Sequence, residues 1–385
     1  MSGTPPPRRY IDNAATTWPK PPEVLDAWLH AARDVGATAG RAAYREATEA
    51  DAIRGRARAA VARLLGGVDP VRVALPGGCT LALNMAIHSL LRHGGHAIAT
   101  AADHNATLRP LHWLARRGVI ELTIVPCDGQ GRVAVDEITA AWRRDTRLVA
   151  VSQVSNVTGA AQPVAEIATV AHERGGLVVV DAAQALGQVE CRVAELGADV
   201  IAGAGHKWLL GTGGAGLLWV RPGLDIEPLV QGGTGSASDS LDMPETFTDR
   251  MEAGTPDVPA LAALVAGIGW LEEQGIAAVG TRCRGLAAAC AARLAAIRGV
   301  RVIATPEGGP IVSFTVEGYD PADVAVLVEQ IAGVQVRSGH HCAARVHEQL
   351  GTAAGGTVRA SFGPFNTTAD VDALVGAIET ITGGA

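Results

Sequence analysis

The sequence predicts an α/β fold: a mixed, mostly parallel seven-stranded sheet with helices on both faces, followed by a smaller C-terminal α+β domain. Three observations carry this expectation. Seven short apolar, β-branched runs alternate with Ala/Leu/Arg-rich stretches of helical spacing through the first two thirds of the chain. The last two runs are joined by too short a link for an ordinary helix, so one strand reverses direction. A polar, Gly/Ser/Asp-rich segment, QGGTGSASDSLDMPETFTDRMEAGTPD, then separates this pattern from a different one.

The strand runs are 71–76, 96–101, 122–127, 148–154, 177–182, 199–204 and 216–220. Beyond the polar segment come helices at 259–274 and 276–297, strands at 300–304, 311–316, 334–338 and 358–362, and helices at 322–331 and 369–381. These elements divide the 385 residues into an arm (1–20), a large domain (21–255) and a small domain (256–385).

Composition narrows the function. Apolar residues make up 48% and charged residues 18%, a balance that excludes wholesale disorder. A net charge of −7 disfavours nucleic acid or an anionic membrane as partner. No apolar stretch approaches the roughly 20 residues that span a bilayer, and MSGTPPPRRY lacks the apolar core of a secretory signal. Six cysteines lie without CxxC pairs, which reads as reduced thiols in a cytoplasmic protein.

Two clusters carry chemistry. Asp181 ends the apolar strand VVVDAAQA, and Lys207 follows 26 residues later in AGAGHKW, at the end of the next strand. One sheet edge thus offers a carboxylate and an amine. Pyridoxal phosphate needs such a pair, the lysine for a Schiff base and the carboxylate to keep the pyridine nitrogen protonated. Asn156 and Gln184 reach the same edge and suit hydrogen bonds to a ring hydroxyl or a substrate carboxylate. Gly77, Gly78, Cys79 and Thr80 stand between a strand and an amphipathic helix, where free N–H groups favour a phosphate. His104 can stack on a planar ring in a chain with only 14 aromatic residues. Gly211, Gly213 and Gly216 match GxGxxG but precede a strand instead of opening a helix, so a dinucleotide site is rejected.

The second cluster is VRSGHHCAARVH, with Arg337, His340, His341, Cys342 and His347. It lacks a second group of ligands at zinc spacing, so no metal is expected. A thiol flanked by histidines and an arginine is instead placed to be a stabilised thiolate nucleophile. Arg359, on the strand GTVRASF, is suited to clamping an α-carboxylate.

IDNAATTWPKP, DHN, SNVTG, DAAQA, GHK, EAGTP, RSGHHCA and GTVRASFGPFN together resemble the cysteine desulfurases, in the branch with an RxGxHCA loop shared with selenocysteine lyase-like proteins. The resemblance covers nearly the whole chain and implies an aspartate-aminotransferase-like fold (pyridoxal-phosphate fold type I). It assigns Lys207 to the Schiff base, Asp181 to the pyridine nitrogen, Gln184 to the ring oxygen and His104 to ring stacking. Gly78, Cys79, Thr80 and His206 match phosphate-binding positions, and Thr255 the residue that reaches the other subunit's phosphate, which implies a homodimer. Asn156 and Arg359 match the substrate-carboxylate site, Arg337 also counts among substrate contacts, and Asn13 and Ala14 lie in the arm that borders the substrate. Cys342 matches the persulfide-forming cysteine. The implied reaction converts L-cysteine, or selenocysteine, to alanine, with a sulfur-acceptor protein or small thiol as second partner. A β-C–S lyase shares these residues, whereas an aminotransferase would leave the thiol without a task and a non-catalytic scaffold would not need both Lys207 and Cys342. Three positions depart from the family pattern: Ala204 replaces a hydroxyl residue, Leu81 an acidic one, and LLGTGG lacks its usual proline.

Overall fold

The computed structural model describes residues 7–304 and 308–383; residues 1–6 of the expected arm, 305–307 and 384–385 lie outside the described residues. The strands are β1 (Arg9–Tyr10), β2 (Val73–Ala74), β3 (His96–Thr100), β4 (Glu121–Val125), β5 (Thr146–Ser152), β6 (Leu177–Asp181), β7 (Val200–Ala204), β8 (Gly216–Val220), β9 (Val300–Val302), β10 (Ile311–Val316), β11 (Val334–Gln335), β12 (Arg337–Gly339) and β13 (Thr357–Ser361).

Seven of them form the large sheet, in the order β2-β8-β7-β6-β5-β3-β4. β3 to β7 run parallel to one another, whereas β8 pairs antiparallel with both β7 and β2. The reversed strand expected from the short 204–216 link is therefore β8. Alternate side chains enter opposite cores: Val149, Val151, Val178 and Val180 face one layer of helices, and Leu148, Ala150 and Val179 the other. That two-sided burial is what continuous apolar runs require. β2 is shorter than the apolar run 71–76, because Pro70–Arg72 forms a 3-10 turn in which Asp69 accepts the Val71 N–H at 3.0 Å.

The smaller sheet is antiparallel, in the order β12-β13-β10-β9. The single strand expected at 334–338 is split. β11 pairs with β1 of the arm, and β12 joins the small sheet. Ile11 of the arm is buried in the small-sheet core beside Phe314 and Phe362. The helix Val258–Gln274 buries Leu261, Leu264, Ile268 and Leu271 in the large-sheet core. The next helix, Ile276–Ala295, spans both cores: Val279 and Cys283 pack with the large sheet, Leu286, Cys290 and Leu294 with the small one. The change of core thus falls inside that helix, beyond the polar segment at which composition divides the chain. Among the described residues no helix is long and apolar enough to cross a membrane.

Candidate active site

Because β5, β6 and β7 are parallel, the residues following them share the carboxyl edge of the sheet, where open α/β sheets bind ligands. A cavity of about 860 Å³ lies there. Gly78, Cys79, Thr80, His104, Asn156, Asp181, Gln184, Ala204, His206 and Lys207 line it from the large sheet, Ala14 from the arm, and Arg337, His341 and Arg359 from the small-sheet side. The sequence had named all of these except His341 as a contact here.

Lys207 is half-buried, and desolvation lowers its amine pKa, opposed by the negative charge of Asp181. Asp181 is held in place by the Ala183 N–H at 2.9 Å, and the Cys79 thiol donates to the same oxygen at 3.5 Å. Burial, then the Asp181 charge, push that thiol far up, so Cys79 stays protonated. The helix Cys79–Leu90 opens at Gly78 without a side-chain cap, and Gly78, Cys79 and Thr80 at its positive end line the cavity. His104 caps the helix Asn105–Arg116, its Nδ1 accepting the Ala106 N–H at 3.0 Å. Its pKa is lowered to about 4, chiefly by burial, which makes the ring a neutral imidazole. His206 is likewise lowered to about 4 by burial and then by the Lys207 charge. Gln184 bridges two elements, donating to the Ala14 carbonyl at 2.9 Å and accepting from the Trp208 indole at 2.7 Å.

Arg359 is fully buried and ion-paired through Nη2 with Asp12 at 2.7 Å, while Nη1 donates to the Asn156 carbonyl at 3.0 Å. Its Nε is buried with no hydrogen-bond partner among the described residues. Three residues expected at the site, Asn13, Thr255 and Cys342, are not among those lining the cavity. Asn13 is buried and donates to the Ser361 carbonyl and Asn366, tying the arm to the small sheet. Thr255 is exposed on the loop before Val258.

Cys342 is the one exposed cysteine; the other five are buried. Burial raises Cys127 and Cys283 to about 11 and Cys191 and Cys290 to about 12. His341 and Cys342 both adopt left-handed backbone, at φ 51° and 60°, a conformation costing a non-glycine residue about 1–2 kcal/mol. The loop is held in it by Asn156, whose Nδ2 donates to the His341 carbonyl at 2.7 Å, and by the Asn105 N–H, which donates to the Cys342 carbonyl at 2.8 Å. The cation at the sulfur is Arg337, Nη2 to Sγ 3.4 Å. The flanking histidines are engaged elsewhere: His341 meets the Thr357 hydroxyl at 2.9 Å and His340 the Ala353 carbonyl at 3.0 Å. His341 is lowered to about 2, mainly by burial, and so carries no charge toward the thiol. Of the company that sequence gave Cys342, the arginine is at the sulfur and the histidines are not.

Sequence reasoning missed three contributors in the arm. Asp12 pairs with Arg359, while Thr17 and Lys20 fasten the backbone beside Lys207. Thr17 Oγ1 donates to the Lys207 carbonyl at 2.8 Å, and Lys20 Nζ to the His206 carbonyl at 2.9 Å. The motif IDNAATTWPKP carried these residues, but sequence gave no partner for them.

Residues 9–374 match the family Aminotransferase class-V. A probable cysteine desulfurase of Methanothermobacter thermautotrophicus is 33% identical over 97% of this chain and 94% of its own. Another, from Pseudomonas aeruginosa, is 36% identical over 94% and 91%. The apo structure of the cysteine desulfurase from Thermococcus onnurineus superposes with a TM-score of 0.91 at 30% identity, covering 98% of this chain and 95% of that one. The chain belongs to the cysteine desulfurase family of class-V aminotransferases. That family generally depends on pyridoxal phosphate, and the residues present fit the group. A half-buried amine and a buried carboxylate meet at one cavity. An added Cβ at Gly78 would meet nothing within 4 Å, so the helix start is open to a phosphate. The buried, unpartnered Nε of Arg359 offers a donor to an anionic ligand.

Proposed function

We propose that this member of the family converts L-cysteine to L-alanine and holds the released sulfur on Cys342. The observation that carries the reading is Cys342 itself: the one exposed thiol, on a strained and tethered loop, with a guanidinium at its sulfur. Pyridoxal phosphate, when bound, supplies an aldehyde to capture an amine and a protonated ring to take up an electron pair.

The chain's own residues do the rest. Asp181 keeps a proton on the ring nitrogen, and neutral His104 offers a flat imidazole to the ring. Gly78, Cys79, Thr80 and His206 receive the phosphate, and Gln184 the ring oxygen. Ala204 cannot add the hydroxyl common in relatives, a loss of about one charge-assisted hydrogen bond. Arg359, positioned by Asp12 and by the Asn156 carbonyl, binds the substrate carboxylate, aided by Asn156. Lys207, its pKa lowered by desolvation, removes the α-proton. The Cys342 thiolate attacks the substrate sulfur: a Cys342 S–S bond forms, the substrate Cβ–S bond breaks, and protonation at Cβ yields alanine.

The exposed position of Thr255 supports a homodimer in which this residue serves the neighbouring subunit's phosphate. Six thiols without a disulfide suit a reducing compartment, and the proposal places the enzyme in the cytoplasm. The test is alanine release from cysteine by the cofactor-loaded protein. Wild type should turn over and Lys207→Ala should be inactive; equal rates, or none from wild type, would refute the reading.

A further inference from the structure

Cys342 does not line the large cavity. It lines a second one of about 440 Å³, lying between the helices Cys79–Leu90 and Asn105–Arg116. Thr80, Asn84, His104 and Ala106 border both cavities, so the two adjoin. The second has the volume of a small-molecule site. Thr80, Asn84 and His88 face it at four-residue spacing from one helix, and Ala106, Arg109, Pro110 and Trp113 from the other.

Its electrostatics have one sign. The helix Asn105–Arg116 begins beside Cys342, whose carbonyl accepts the Asn105 N–H at 2.8 Å, and presents its positive end there. Arg337 stands at the sulfur, and Arg109 makes no hydrogen bond or ion pair with any described residue. No aspartate or glutamate lines the space. Farther out, Trp113 is braced edge-to-face by His88 at 5.4 Å and by the Arg117 guanidinium at 4.4 Å.

We propose that this second cavity is the port through which a small anionic thiol removes sulfur from Cys342, donor and acceptor thus reaching the cysteine from two sides. The inference rests on the persulfide reading above. In the step, the acceptor thiolate attacks the outer sulfur of the Cys342 persulfide. A new S–S bond forms on the acceptor, the Cys342 S–S bond breaks, and its electron pair returns to Cys342 as thiolate. No oxidant or reductant is consumed. Arg109 binds the acceptor's carboxylate, and the start of the helix Asn105–Arg116 and Arg337 favour its thiolate.

The test uses the holoenzyme with saturating cysteine and two probes of similar size, 3-mercaptopropionate and neutral 2-mercaptoethanol. The first-turnover burst of alanine reports whether Cys342 is loaded; steady-state turnover reports its unloading. Arg109→Ala should keep the burst and raise the KM for mercaptopropionate about tenfold or more, as loss of a charge-assisted contact does, with little change for mercaptoethanol. His88→Trp, which narrows the cavity, should keep the burst and slow both thiols. A normal burst with both thiols indifferent to both variants would overturn the port and leave the exposed cysteine to a protein acceptor. Equal loss for the two thiols in Arg109→Ala would overturn the anion preference. Absence of the burst in wild type would instead overturn the persulfide reading on which the port rests.

Discussion

Burying an amine without a full ion pair favours its neutral form, and Lys207 shows the consequence at the residue scale. Its pKa lies below the ordinary 10.5, with Asp181 opposing the burial effect. Only the neutral amine attacks an aldehyde, and it predominates above its pKa. Capture of added pyridoxal phosphate by the cofactor-free protein, followed by visible absorbance, should therefore rise with pH to a half-point below that of free lysine. A half-point at 10.5 or higher would place Lys207 in water. Arg359 is the opposite case, a buried cation that keeps its charge through Asp12. Removing one partner of a buried pair costs about 3–5 kcal/mol, and partly exposed Asp12 belongs at the lower end. Urea unfolding should find Asp12→Ala destabilised by about 3 kcal/mol, with a raised KM for cysteine, and Asp12→Asn less affected on both counts.

At the level of elements, legibility followed the range of the forces. The strands of the large sheet were readable because burial on both faces writes continuous apolar runs, and β3, β6, β7 and β8 stand within one residue of those runs. The reversal of β8 was readable from a link too short for a helix. The division of 334–338 into β11 and β12 was not, since its cause is pairing with an arm more than 300 residues away. The left-handed turn at His341 and Cys342 was also hidden. It uses no glycine there and is sustained by Asn105 and Asn156, which are distant in sequence. The site's residue types were legible because chemistry demands them. Which neighbour serves which was not, as the histidines turned away from Cys342 illustrate.

Across the whole molecule, one chain completes most of the cavity, yet Thr255 stays outside it on an exposed loop. The homodimer proposal gives that residue its task, with the symmetric pairing usual for oligomers. Light scattering should return about twice the 39.4 kDa chain mass; a fully active monomer at the assay concentration would refute shared sites. The long helix Ile276–Ala295 ties the two cores together, so closure about the substrate would have to bend elsewhere than at the polar segment that composition marks. The account turns on sulfur passing to Cys342, and mass spectrometry of the protein after exposure to cysteine without reductant tests this most directly. The account predicts one added sulfur on the Cys342 peptide of the wild type, and a Cys342→Ala variant that binds cofactor yet releases almost no alanine. An unmodified Cys342 peptide, with Cys342→Ala making alanine at the wild-type rate, would contradict it.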